Sequence, residues 1–141
     1  MGRKVASRAE VAPFHVMEVV RAARERAEAT GDVLHLEVGQ PSTGAPASAI
    51  AAAQTALGSP ESLGYTDADG LPALRRTIAD SYRPHGVEVA PEQVAVTAGA
   101  SVACVLAFLA AFSPGDRVAL CEPGYPCYRQ MLHALGVAPV P

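Results

Sequence analysis

The chain has 141 residues, half of them apolar, a net charge of −3 and three cysteines. That length holds one domain with a real core and is too short for two ordinary ones. Eleven basic residues spread along a mildly acidic chain give no electrostatic footprint for nucleic acid or an anionic membrane, so a small soluble ligand is the expected partner.

The start, MGRKVASRAE, lacks the apolar core of a secretory signal, and no apolar run approaches bilayer length; the expected compartment is the cytoplasm. Residues 1–12 carry scattered charge without a period and read as an arm. Pro13 suits the first turn of a helix over 14–30, with Phe14, Met17, Val20 and Ala27 on the apolar side and Gly31 as its stop. VLHLEV, residues 33–38, alternates and predicts a short half-buried strand, in which His35 is an outward or satisfied residue rather than a metal ligand.

Gly39-Gln40-Pro41 opens a crossing loop rich in Pro, Ser, Thr and Gly. An Ala-rich helix over 47–57 follows, entered at Pro46 and stopped at Gly58-Ser59-Pro60. Residues 61–70 form a loop containing Tyr65. Asp67 and Asp69 lack the spaced ligands and terminal glutamate of a calcium loop, so they read as turn and N-cap residues. A second amphipathic helix over 71–82 turns Leu71, Leu74 and Ile78 inward.

The stretch from Gln93 to Tyr128 organises the rest. Val94–Thr97 predicts a buried strand, and Ala98-Gly99-Ala100-Ser101 leads from it into a helix over 100–112, apolar nearly all round and therefore expected to be buried. A strand-to-helix turn of small residues is a candidate anion site. The first helical N–H groups have no partner in the helix and sit at the positive end of its dipole, and Gly99 and Ala100 keep bulk away from them while Ser101 adds a hydroxyl. Ser113-Pro114-Gly115-Asp116 predicts a type II turn into a second strand over 117–121. The loop Glu122–Pro126 lies at a strand's C-terminal end, where open α/β sheets hold ligands. A helix over 128–135 and a strand from Val137 complete the chain. Cys104, Cys121 and Cys127 lack zinc-site spacing and read as reduced thiols, Cys104 in the core.

The motifs LHLEVGQP, GYTDADGLPALRRTIA, VAVTAGAS and SPGDRVALCEPGYPCY, with F-x-x-M-x-V before them and LGVAPVP after, occur in an order that resembles the N-terminal part of a class I/II aminotransferase. The resemblance implies an α/β fold: the incomplete large domain, three layers α/β/α, of a fold-type-I enzyme that uses pyridoxal 5′-phosphate. Residues 1–45 would be the arm, helix and strand on the small-domain side, and 46–141 the first part of the large domain. It also implies a phosphate site on the backbone N–H groups of Ala100 and Ser101, with Gly99 giving close approach, and a Tyr125 ring stacked on the cofactor. Tyr65 would reach across a homodimer to the partner's cofactor phosphate, and Gly39 would lie against the substrate carboxylate.

The substrates implied are an amino acid and a 2-oxo acid, with no nucleic acid, membrane or metal. In the family the Schiff-base lysine, the acidic partner of the pyridine nitrogen and the carboxylate-binding arginine come from later sequence. Lys4, the only lysine here, matches no motif, so no catalytic residue is assigned. In the family sheet, strands from later sequence also separate the equivalents of Val94–Thr97 and Arg117–Cys121, so the chain is expected to be an inactive segment with open strand edges and bare apolar faces. The alternatives are another fold-type-I enzyme (a lyase, synthase or decarboxylase) or a non-catalytic remnant that binds a partner through its apolar surface.

Overall fold

The computed structural model describes residues 4–60 and 64–141, the side chain of Ser7 excepted. The first three residues of the expected arm, and Glu61–Leu63 of the loop before Tyr65, lie outside the described residues. The chain divides into two compact units, one made of Met1–Gln40 with Cys104–Pro141, the other of Pro41–Ala103.

In the first unit, α1 spans His15–Thr30, with Phe14 as N-cap. It ends because Gly31 takes the left-handed conformation, φ 68°, and donates its N–H to the Ala27 carbonyl at 2.8 Å, a conformation only glycine adopts cheaply. The apolar stripe differs by one position from the expected one. Val16, Val20, Ala23 and Ala27 are half-buried at helical spacing, whereas Met17 points outward, 58 % exposed. Arg21 and Glu25 pair one turn apart at 2.8 Å on the solvated side.

The firmest part of this unit is a strand–helix–strand. β1 (Arg117–Ala119) and β2 (Ala138–Val140) run parallel, with Val118 opposite Pro139, and α5 (Pro126–Ala134) connects them. The Leu120 N–H continues the ladder to the Val140 carbonyl at 2.8 Å. α5 starts two residues before the expected position because Pro126 occupies its first turn and needs no N–H partner. Leu132 of α5 and Val137 just before β2 are the buried apolar side chains here. The expected tight turn is present: Asp116 donates its N–H to the Ser113 carbonyl at 3.1 Å, and Gly115 takes φ 97°. Gly115 then donates to the Gly136 carbonyl and Ala138 to the Asp116 carbonyl, both at 2.8 Å, tying the turn to the start of β2.

The second unit holds α2 (Ala47–Leu57), with the expected bounds, and α3 (Pro72–Tyr82), followed by 3-10 turns at Arg83–His85 and Pro91–Gln93. Ala79 of α3 is its buried side chain; no described residue of α2 is buried. α4 (Ala100–Ala111) leads from this unit into the first.

Three expectations need correction. Residues 33–38 form no strand, and Leu34 and Leu36 are 87 % and 90 % exposed. Residues 94–97 form no strand either; the Val96 N–H goes to the Asp69 carbonyl at 2.9 Å. A strand exists only as one side of a ladder, and among the described residues no neighbour offers one to either segment. α4 has no buried residue and Cys104 is only half-buried: Tyr128 packs edge-on against Phe108, but Val102, Leu106 and Leu109 stay exposed, because apolar character alone does not bury a helix that is covered on one side.

Candidate functional site

The phosphate turn of the sequence is built as a locked corner. Gly99 donates its N–H to the Thr97 carbonyl at 2.8 Å, and the Thr97 hydroxyl donates to the Gly99 carbonyl at 2.9 Å. Gly99 sits at φ 90°, a conformation strained for any other residue, and a Cβ built there meets no atom within 4 Å. The first helical bond of α4 is the Ala103 N–H to the Gly99 carbonyl. The N–H groups of Ala100, Ser101 and Val102 therefore stand free at the positive end of a twelve-residue helix, with no acceptor among the described residues. An open cradle of three donors in front of a glycine fits a phosphate group.

Tyr65 belongs to the same unit and is fully exposed on its loop. Two residues on, Asp67–Gly70 forms a turn, with the Gly70 N–H on the Asp67 carbonyl at 2.9 Å.

Tyr125 and Gly39 belong to the other unit. Tyr125 is the N-cap of α5, 53 % exposed, and lines a cleft of about 460 Å³ formed by the loop Leu120–Pro126 and Arg129. Its ring is held edge-on by Tyr128, centroids 5.2 Å apart, and by Phe14, 6.4 Å away; such T-shaped pairs fix a ring's plane. The Cys127 thiol beside it, then partial burial, raise the Tyr125 phenol above its ordinary value of 10. It stays neutral, and one face of the ring can meet a flat ligand without a charge to desolvate. The loop is tight: a Cβ on Gly124 would stand 2.4 Å from the Cys121 carbonyl oxygen.

Gly39 is exposed, does not take a positive φ, and has no atom within 4 Å of where a Cβ would be. Its being glycine thus serves neither a left-handed turn nor a close intramolecular contact. Nearby, His35 Nδ1 lies 2.7 Å from Glu37 Oε1, so the histidine is satisfied locally. That bond, helped by Glu37's own backbone N–H, holds the Glu37 carboxyl below its ordinary value of 4.5.

Sequence reasoning missed several neighbours. Phe14 and Tyr128, which orient Tyr125, come from outside its loop, and Arg129 pairs with Glu122 at the cleft. Glu122 lies in the loop before α5 and Arg129 within the helix, so no shared helical or strand period marks them as partners. Among the described residues no group of three or more His, Cys, Asp or Glu is placed to hold a metal ion, and no helix is long and apolar enough to cross a membrane.

The family described as "Aminotransferase class I and II" matches residues 31–141. Valine–pyruvate aminotransferase of Mycobacterium tuberculosis is 53 % identical over 137 residues, which is 96 % of this chain and 35 % of that protein. An aspartate/prephenate aminotransferase of Cereibacter sphaeroides is 35 % identical over 94 % of this chain and 33 % of its own length. Among solved structures, an aminotransferase from M. tuberculosis superposes with a TM-score of 0.91 at 51 % identity, covering 99 % of this chain and 36 % of that one. Aspartate aminotransferase from Thermus thermophilus, solved with maleate, superposes at 0.90 and 29 % identity, covering 99 % of this chain and 37 % of that one. The chain thus spans about a third of the length of the relatives it matches, and its fold is an incomplete fold-type-I α/β domain. Class I and II aminotransferases depend on pyridoxal 5′-phosphate.

Proposed function

The chain belongs to the class I and II aminotransferases, and from that premise we propose that it forms the N-terminal segment of an enzyme moving an amino group between an amino acid and a 2-oxo acid. The carrying observation is the cradle of three free N–H groups at the start of α4, behind a glycine held at φ 90°. In this reading Gly99, Ala100 and Ser101 bind the cofactor phosphate, Tyr125 orients the ring by its face, Tyr65 serves the neighbouring protomer of a homodimer, and Gly39 lies against the substrate carboxylate. Residues 1–45 belong to the small-domain side and 46–141 to the large domain. When bound, pyridoxal phosphate supplies an electron sink for the substrate's α-carbon. This chain's part is to bind and orient it: backbone donors fixed in advance hold the phosphate without reorganising, and a neutral phenol excludes water from one face of the ring.

The match to a valine–pyruvate aminotransferase supports a branched aliphatic amino acid and pyruvate as the substrate pair. Lys4 is the only lysine and lies in the arm, which supports a division of labour in which this segment carries phosphate and ring contacts but no covalent anchor.

The test is cofactor binding and valine–pyruvate exchange by the complete enzyme, with Gly99→Val as the decisive variant. A side chain at Gly99 strains the backbone and crowds the donors, so cofactor affinity should fall at least about tenfold. Unchanged affinity would remove the turn from the site; an enzyme active only in elimination or decarboxylation would move the assignment to a lyase or decarboxylase.

A further inference from the structure

The segment that delivers the phosphate turn has no strand partner among the described residues, yet it is gripped at both ends from within its own unit. At the downstream end, the Val96 N–H donates to the Asp69 carbonyl at 2.9 Å. Gly70, at φ 97°, lies so close that a Cβ there would stand 2.7 Å from Val96 Cβ. At the upstream end, Arg75 reaches from α3 and donates its Nε–H to the Pro91 carbonyl at 3.0 Å, with Nη1 3.8 Å from Asp69 Oδ2. The Arg75 side chain is only 14 % exposed, unlike the solvated Arg21, 72 % exposed. A guanidinium turned inward onto a carbonyl keeps its geometry where a surface ion pair would not.

We propose that Arg75 and Gly70 are positioning residues for cofactor binding: they clamp the run Pro91–Thr97 from both ends and so fix where Ala100, Ser101 and Val102 present their N–H groups. The argument rests on the phosphate-turn reading and deepens it. Thr97 hydrogen-bonds with Gly99 at both its carbonyl and its hydroxyl, so a shift of the clamped run is passed to the turn without slack. Because phosphate hydrogen bonds depend on several donors converging, a small displacement weakens them together. The same Asp67–Gly70 turn follows Tyr65 closely in the chain, so the clamp also ties the loop bearing that tyrosine to the phosphate turn.

The experiment compares the affinity of the complete enzyme for pyridoxal phosphate with its affinity for pyridoxal, which lacks the phosphate. Arg75→Met should lower the first about tenfold and leave the second within about twofold, so the preference for the phosphorylated form drops. Arg75→Lys, which keeps one donor and the charge, should recover part of it. Should Arg75→Met not fold, the Arg75→Lys ratio is read in its place, alongside amide exchange, which should quicken over 94–101 and not in α1. A purely structural role would weaken both ligands in the same proportion; that outcome, or no change in either, overturns the clamp. Gly99→Val in the same assay separates the two claims. If it too leaves the preference intact, the phosphate-turn reading has failed; if it abolishes the preference while Arg75→Lys and Arg75→Met do not disturb it, only the clamp has.

Discussion

Tyr125 shows how little of a residue's working environment is local. Its candidacy comes from the family resemblance that the loop Glu122–Pro126 carries, but what orients it does not: Phe14 and Tyr128 stand edge-on to it, and Cys127 raises its phenol. Tyr125→Ala in the complete enzyme should weaken cofactor holding by about 1 kcal/mol, the worth of an aromatic pair, read by equilibrium titration. Gly99 is the opposite case, since its φ of 90° is what a small-residue turn between an extended run and a helix demands. Glu37 carries a pH consequence. Its bond with His35 lowers its carboxyl in the folded state, so the stabilisation is present above the ordinary carboxylate range and is lost as pH falls through the lowered value. Replacing His35 with Ala should therefore flatten the acid side of the stability profile, measured by thermal unfolding between pH 6 and about 3.

Among the elements, those whose stability is local were read closely and those needing a distant partner were not. α2 has its expected bounds, α1 and α3 differ by one residue at their starts, and Gly31 closes α1 as a glycine should. Helical hydrogen bonds and caps lie within a few residues, so the pattern contains them. Residues 33–38 and 94–97 carry strand chemistry but no ladder, because a strand's partner is named by topology and not by its own residues. The β1–α5–β2 unit closes on itself, and there the test is energetic. Leu132 is fully buried, so Leu132→Ala should cost about 2–5 kcal/mol, seen as a lower midpoint in denaturant, whereas trimming the exposed Leu106 of α4 in the isolated chain should cost well under 1 kcal/mol.

For the whole molecule, the described residues hold few buried side chains against many bare apolar ones: Val102, Leu106 and Leu109 on α4, Ile50 and Leu57 on α2, Leu34 and Leu36 in the segment after α1. Stability is a small difference between large terms, and a chain with so much apolar surface in water is expected to self-associate. Sedimentation of the 141-residue chain should show oligomers or aggregate, and borohydride treatment with pyridoxal phosphate should leave no covalent adduct on Lys4. A specific adduct on a folded dimer would overturn the assignment of a non-catalytic segment. The parallel pairing of Arg117 with Ala138 also bears on the order of events during folding. Its loop is closed by a single helix and draws on nothing outside Arg117–Val140, so the pairing can form at small loop-closure cost before distant contacts are made. Formed early, the parallel pair leaves open strand edges that serve as a template for further strands.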